Sequence, residues 1–187
     1  QELRNLLIRT PLLQELQRIE LLARHESFWE GAETDPDFQA ALGALARWGS
    51  EHTEAVADCS LRATLTGYLC KAAPFAENSN FYVLRRGLSF APEALKEPVL
   101  DWIRRRAGTL QTQHLLGGWL NGGLPAEDIR SYTTQWLEKY RYSSSFSYVA
   151  PPWLRATGAS GAEATRKPIQ VWLGQHQTLP EARFVYK

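Results

Sequence analysis

DPDFQAALGALARWGSEHTEAVADCSLRATLTGYLCK, residues Asp35 to Lys71, is the stretch whose reading decides the fold. Asp35 is an N-cap type, Pro36 suits the first helical position, and Asp37 puts an acid in the first turn, where the helix dipole favours it. Phe38, Leu42, Leu45 and Trp48 follow at helical spacing and share one face. Gly49-Ser50 is a stop and restart, after which Val56, Leu61, Leu65, Tyr68 and Leu69 resume the pattern. So long a helical period with so few breakers predicts two consecutive helices, or one kinked helix, as the spine on which the rest packs.

Before the spine, Thr10-Pro11 reads as a cap and first-turn proline. Leu12, Leu13, Leu16, Ile19, Leu22 and Ala23 then form an amphipathic helix ending near His25. Ser27-Phe28-Trp29-Glu30 has the form of a capping box. After the spine, Phe81 to Leu84 is a short apolar run, one helical turn or a strand. Pro92 and Pro98 each suit a helix start. Val99, Trp102, Ile103 and Ala107 line the second of these helices, with Arg104-Arg105-Arg106 in its last turn and Gly108 as its stop.

Gln111 to Leu120 reads as a short helix broken at Gly117-Gly118, and Pro125 opens a helix faced by Ile129, Tyr132, Thr133, Trp136, Leu137 and Tyr140. Tyr140, Tyr142, Phe146 and Tyr148 recur at even spacing, as in a strand or an extended wrap over the core. Gly158 to Lys167 is small and polar and reads as a mobile loop, and Pro168 to Gln175 as one more short helix. No internal repeat is read. The expected architecture is mainly α: an irregular multi-helix bundle with extended aromatic C-terminal segments. It is a single domain over residues 1–187. A chain that starts at Gln1 and contains no methionine reads as the C-terminal fragment of a longer protein.

Composition narrows the function classes. At 44% hydrophobic and 22% charged, the chain is ordinary for a globular domain that buries a real core. A net charge of +1 argues against a surface that coats nucleic acid. No apolar run reaches the roughly 18–20 residues of a membrane span. Cys59 and Cys70 would lie about 16 Å apart along one helix, too far to bridge. Two cysteines and four scattered histidines supply no paired-ligand zinc site, so neither metal nor cofactor is expected. The environment implied is reducing.

Chemistry-bearing patterns are few. The nucleophile elbow, the H-E-x-x-H helix, the P-loop and the dinucleotide fingerprint are all absent from the sequence. Cys59, between Asp58 and Arg62, is the one candidate nucleophile, since a nearby cation raises the thiolate fraction; the alternative is a small buried apolar group. His114-Leu115-Leu116-Gly117 precedes Gly118-Trp119. Glycines there can expose the leucines to a partner, or the leucines are core. Arg104, Arg105 and Arg106 suit phosphate, an acidic partner or simply a helix C-terminus. Lys139-Tyr140-Arg141-Tyr142 mixes base and aromatic as single-strand binders do.

The span Phe28-Trp29-Glu30, Asp37-Phe38, Arg47-Trp48 and Asp58-Cys59-Ser60-Leu61-Arg62 resembles the start of the bacterial novel E3 ligase domain. That family is all helical and carries a catalytic cysteine followed two residues later by an aspartate; here that position is Leu61. In its general character, helical, cysteine-poor and aromatic-rich at this size, the whole chain is similar to the XL-box ubiquitin ligase domain of Xanthomonas type III effectors. The resemblance implies secretion into a host cell and action in its cytoplasm. It also implies E2 enzyme and ubiquitin as partners, with transfer promoted by positioning and without zinc or a catalytic cysteine. The expected E2-docking residues, chosen from local composition, are His114, Leu115, Leu116 and Gly117 with Arg104, Arg105 and Arg106. A non-enzymatic helical adaptor and, less favoured, a helical nucleic-acid binder are the alternatives.

Overall fold

The computed structural model describes residues 81–178 continuously, Pro180 and Ala182, and eleven positions between Gly43 and Cys70, all of them helical. Most of the spine, the amphipathic helix before it and Cys59 lie outside the described residues. The described residues are mainly helical, as expected, with six α-helices and no strand among them. These are α1 (Phe81–Gly87), α2 (Pro92–Arg106), α3 (Thr112–Asn121), α4 (Arg130–Lys139), α5 (Ala150–Ala164) and α6 (Arg166–His176). Short 3-10 segments, Ala126–Ile129 and Ser144–Tyr148, lead into α4 and α5.

Of the two forms expected for Phe81 to Leu84, the structure takes the helical one. Several other local expectations are corrected. Pro98 does not start a helix but lies inside α2. Gly117-Gly118 does not break α3, which runs on to Asn121. The helix after Pro125 begins as a 3-10 turn and becomes α at Arg130. The alternation of Tyr140 to Tyr148 is not a strand. The chain turns after α4, and the Ser143 hydroxyl accepts from the Ser145 amide at 3.1 Å to cap the 3-10 segment, which buries Phe146. Residues 158–167 are not an open loop: α5 continues to Ala164 and α6 begins at Arg166. The bend sits at Gly158, whose φ of 57° and ψ of −138° leave the helical region. Only glycine holds such a backbone cheaply.

The chain divides into two compact units, Gln1–Pro98 and Val99–Lys187. Within the first, Leu69, Phe81, Leu84, Leu88 and Leu95 are buried. A Cβ on Gly87 would fall 2.4 Å from Leu95 Cδ1 and 3.1 Å from Leu69 Cδ1, so glycine there permits the close approach.

The second unit has a regular plan. In it α3 packs on α5 and α4 on α6, while α4 touches α5 and α5 touches α6. Alternate helices therefore stack in two layers, the arrangement of an α-solenoid. A repeat in the sequence underlies it. Trp102, Trp119, Trp136 and Trp153 recur at one constant spacing and Trp172 follows slightly later, each succeeded by Ile or Leu. Each tryptophan sits on its own helix, α2 to α6, and none is more than 1% exposed. Burying an indole removes roughly 150–250 Å² from water, worth about 4–6 kcal/mol gross. Two helices make one unit, as from Trp102 to Trp136, which matches the roughly 34 residues of a helix–turn–helix repeat.

The indole hydrogen bonds obey the same register. On α3 and α5 they run forward, from Trp119 to the Pro125 carbonyl at 2.9 Å and from Trp153 to the Gly161 carbonyl at 3.4 Å. On α4 and α6 they run back to the loop before the preceding helix, from Trp136 to the Thr109 carbonyl at 3.0 Å and from Trp172 to the Ser143 carbonyl at 2.9 Å. Thr109 and Ser143 are themselves separated by the same interval as Trp102 and Trp136. The tryptophans thus serve as core filling and also tie each layer to the loops of the repeat.

Candidate interaction edge

The residues expected to dock an E2 enzyme separate into core and surface. Leu115 and Leu116 are fully buried, so they form no exposed apolar patch. The reason is their place in the repeat: α3 is stacked on α5 and on the Ser144–Tyr148 segment, and both leucines are buried on it together with Trp119. Gly117 is buried as well; a Cβ there would meet the Tyr148 carbonyl oxygen at 3.2 Å, so the glycine is a packing position and not a loosened backbone. His114 is half-buried, its Nε2 lying 3.4 Å from Gln113 Nε2. Arg104 and Arg105 are exposed and Arg106 is half-buried, its guanidinium 5.5 Å from the centre of the Trp102 ring.

The structure instead joins two segments that the sequence presents apart. Arg104 to Arg106 end α2, and Lys139 ends α4 with Tyr140 to Tyr142 just after it. Lys139 Nζ donates to the Gly108 carbonyl at 2.6 Å, and the Tyr140 hydroxyl donates to the same oxygen at 3.0 Å. The Thr109 hydroxyl donates to the Arg106 carbonyl at 3.0 Å, closing the end of α2. Both helix C-termini therefore open on one edge, with their basic residues where the helix dipoles favour cations.

That edge carries most of the exposed large apolar side chains of the second unit. Leu110 is 41% exposed and Tyr142 57%, in the two loops that follow α2 and α4, and Tyr148, 65% exposed, ends the Ser144–Tyr148 segment. The Arg141 guanidinium lies 4.9 Å from the centre of the Tyr142 ring, and Lys139 Nζ 5.4 Å from that of Tyr140. Hydrogen bonding to the Tyr142 hydroxyl, then the Glu138 charge, push the Arg141 pKa up from its ordinary value. Asp101 pairs with Arg105 at 3.0 Å, and Glu138 pairs with Arg141. Arg104 has no ion-pair partner among the described residues. Residues from Val99 on carry eleven Lys and Arg against six Asp and Glu, a net charge of +5, while residues 1–98 carry ten against fourteen, a net of −4. The near-neutral total conceals this asymmetry.

No group of three His, Cys, Asp or Glu among the described residues is arranged to hold a metal ion. None of the described helices is long and apolar enough to cross a membrane. Cys70 donates its thiol to the Ala94 carbonyl at 3.4 Å, and burial pushes its pKa up, away from the thiolate that a nucleophile needs. The signal for the edge was present in the sequence as an arginine run, Arg104 to Arg106, and a basic-aromatic segment, Lys139 to Tyr142; their union depends on the stacking of the repeat. No protein-family model, curated protein or solved structure matches this chain.

Proposed function

We propose that this protein is a non-enzymatic helical-repeat scaffold that binds a partner protein. The observation that carries this reading is the two-layer stack of α3 on α5 and α4 on α6, held in register by one buried tryptophan per helix. Such a stack presents equivalent surface positions at fixed intervals, and binding is then spread over consecutive repeats. The ubiquitin-ligase expectation rests on resemblance, and the apolar pair chosen to dock E2, Leu115 and Leu116, is core.

A photo-crosslinking residue placed in turn at Leu110 and at Ser144, equivalent positions in successive repeats, tests the scaffold reading. The same partner should crosslink from both sites. In parallel, the chain incubated with E1, a panel of E2 enzymes and ubiquitin should form no ubiquitin chains. Ubiquitin transfer, with no partner shared by the two crosslinking sites, would replace the scaffold with the ligase.

A further inference from the structure

We infer that the edge where α2 and α4 end binds an acidic peptide segment of the partner. This rests on the scaffold reading and names the chemistry of its ligand. The cations come from two helices brought together at Gly108, so the positive field belongs to the fold and not to one local run. Arg104 is exposed and free of any ion pair among the described residues, and Lys139 brings a second charge from α4 to the Gly108 carbonyl just past the end of α2. Tyr142 offers more than half of its surface to solvent next to the Arg141 guanidinium. Cationic side chains beside exposed tyrosine suit a ligand that carries carboxylates with apolar groups between them.

The carboxylates on the edge decide between a peptide and a nucleic-acid strand. Asp101 on α2 and Glu138 on α4 are paired to Arg105 and Arg141, each on or just after the same helix. A strand with a phosphate at every nucleotide would meet these two carboxylates. A peptide with spaced acidic residues meets Arg104 and Lys139 and passes the paired carboxylates with a neutral side chain. The +5 charge of the second unit steers such a segment inward.

The test uses the full chain and fluorescence anisotropy with two labelled probes. One is a twelve-residue peptide repeating glutamate, leucine and serine; the other is single-stranded oligothymidine of twelve nucleotides. The peptide should bind, and Arg104→Glu with Arg105→Glu should weaken it at least about tenfold. Tyr142→Ala should also weaken it. Arg155→Glu with Lys167→Glu is the control of equal charge change. Arg155 contacts Asn121 at the far end of α3, about 15 Å along that helix from this edge. Equal loss in this control would reduce the effect to overall charge and overturn the inference. Tighter binding of oligothymidine than of the peptide would overturn it in favour of nucleic acid. No binding of the peptide by a folded chain would also overturn it, and shared crosslinks from Leu110 and Ser144 would then leave the scaffold standing without this ligand.

Discussion

At the scale of the residue, three glycines predict opposite results for one substitution, two destabilising for different reasons and one stabilising. Gly158 holds φ 57° at the bend of α5, so Gly158→Ala forces a side chain into a glycine conformation and costs about 1–3 kcal/mol. A Cβ on Gly161 would lie 1.7 Å from Thr157 Oγ1 and 2.5 Å from Thr157 Cβ. That hydroxyl is held by the Trp153 carbonyl at 2.6 Å, so Gly161→Ala should cost about 1–3 kcal/mol by overpacking. Gly174 lies exposed within α6 with open space about it, and Gly174→Ala should stabilise by about 0.5–1 kcal/mol. Thermal melts of the three variants check the signs, and a destabilised Gly174→Ala would contradict the packing of α6. Arg130 offers a second residue-level test. Its Nε donates to Glu127 Oε2 at 2.6 Å, and its guanidinium lies 5.5 Å from the centre of the Trp153 ring. The hydrogen bond from Arg130, before its charge, lowers the Glu127 pKa. A lowered folded-state pKa contributes stability above the unfolded carboxyl value, near 4.3, and loses it as pH falls through the folded value. Carbon-detected titration should place Glu127 below an ordinary glutamate, and Arg130→Gln should return it.

At the scale of the element, α2 carries a proline that its neighbours accommodate. Pro98 has no amide hydrogen, so the Ala94 carbonyl one turn earlier lacks its helical donor. The Cys70 thiol donates to that same oxygen at 3.4 Å. Burial raises the Cys70 pKa and keeps it protonated, which is the form that can donate. Its stabilising effect is thus complete below the unfolded thiol value and fades as pH rises through the raised folded one. Pro98→Ala should stabilise the chain, because an interior helical proline costs roughly 3 kcal/mol against alanine. Cys70→Ala should cost a small amount, on the order of 0.5–1 kcal/mol, for a weak donor at a part-exposed site. In the Pro98→Ala background the Ala94 carbonyl has its own amide donor, so the cost of Cys70→Ala should shrink. Denaturant melts of the four chains measure this coupling; equal costs in both backgrounds would show that the thiol does not serve that carbonyl. The pair also shows why some elements were legible and others not. The end of α2 at Arg104 to Arg106 and the onset of α6 near Pro168 follow from local caps and periodicity. Gly117 looks like a breaker in sequence because its use is tertiary, making room for the Tyr148 carbonyl of another segment, while Gly161 makes room for Thr157 across the bend of its own helix.

At the scale of the molecule, the mainly α class was legible from period alone, while the repeat escaped because only one pair of residues per helix repeats. Between Trp119 and Trp136 lie paired glycines and a proline, and between Trp136 and Trp153 a run of serines and tyrosines, so no window of the two repeats looks alike. The candidate edge was legible only as a separate arginine run and basic-aromatic segment, since bringing them together requires the stack. A stack held by nearest neighbours makes a direct prediction about truncation. Trp172 of α6 lies 5.5 Å from Phe146, ring centre to ring centre, and its indole donates to the Ser143 carbonyl. A chain ending at Thr165 therefore uncovers Phe146 and removes the partner of α4 in its layer, while leaving the tie from Trp136 to Thr109 in place. Loss of one buried tryptophan with its surroundings should cost at least about 3–5 kcal/mol. Hydrogen exchange should show the loss falling on the loop at Ser143 and on α5, with α3 and the indole of Trp136 still protected. Uniform loss of protection across residues 99–165 would mean that the second unit folds as one block, and that its helices do not behave as stacked repeats.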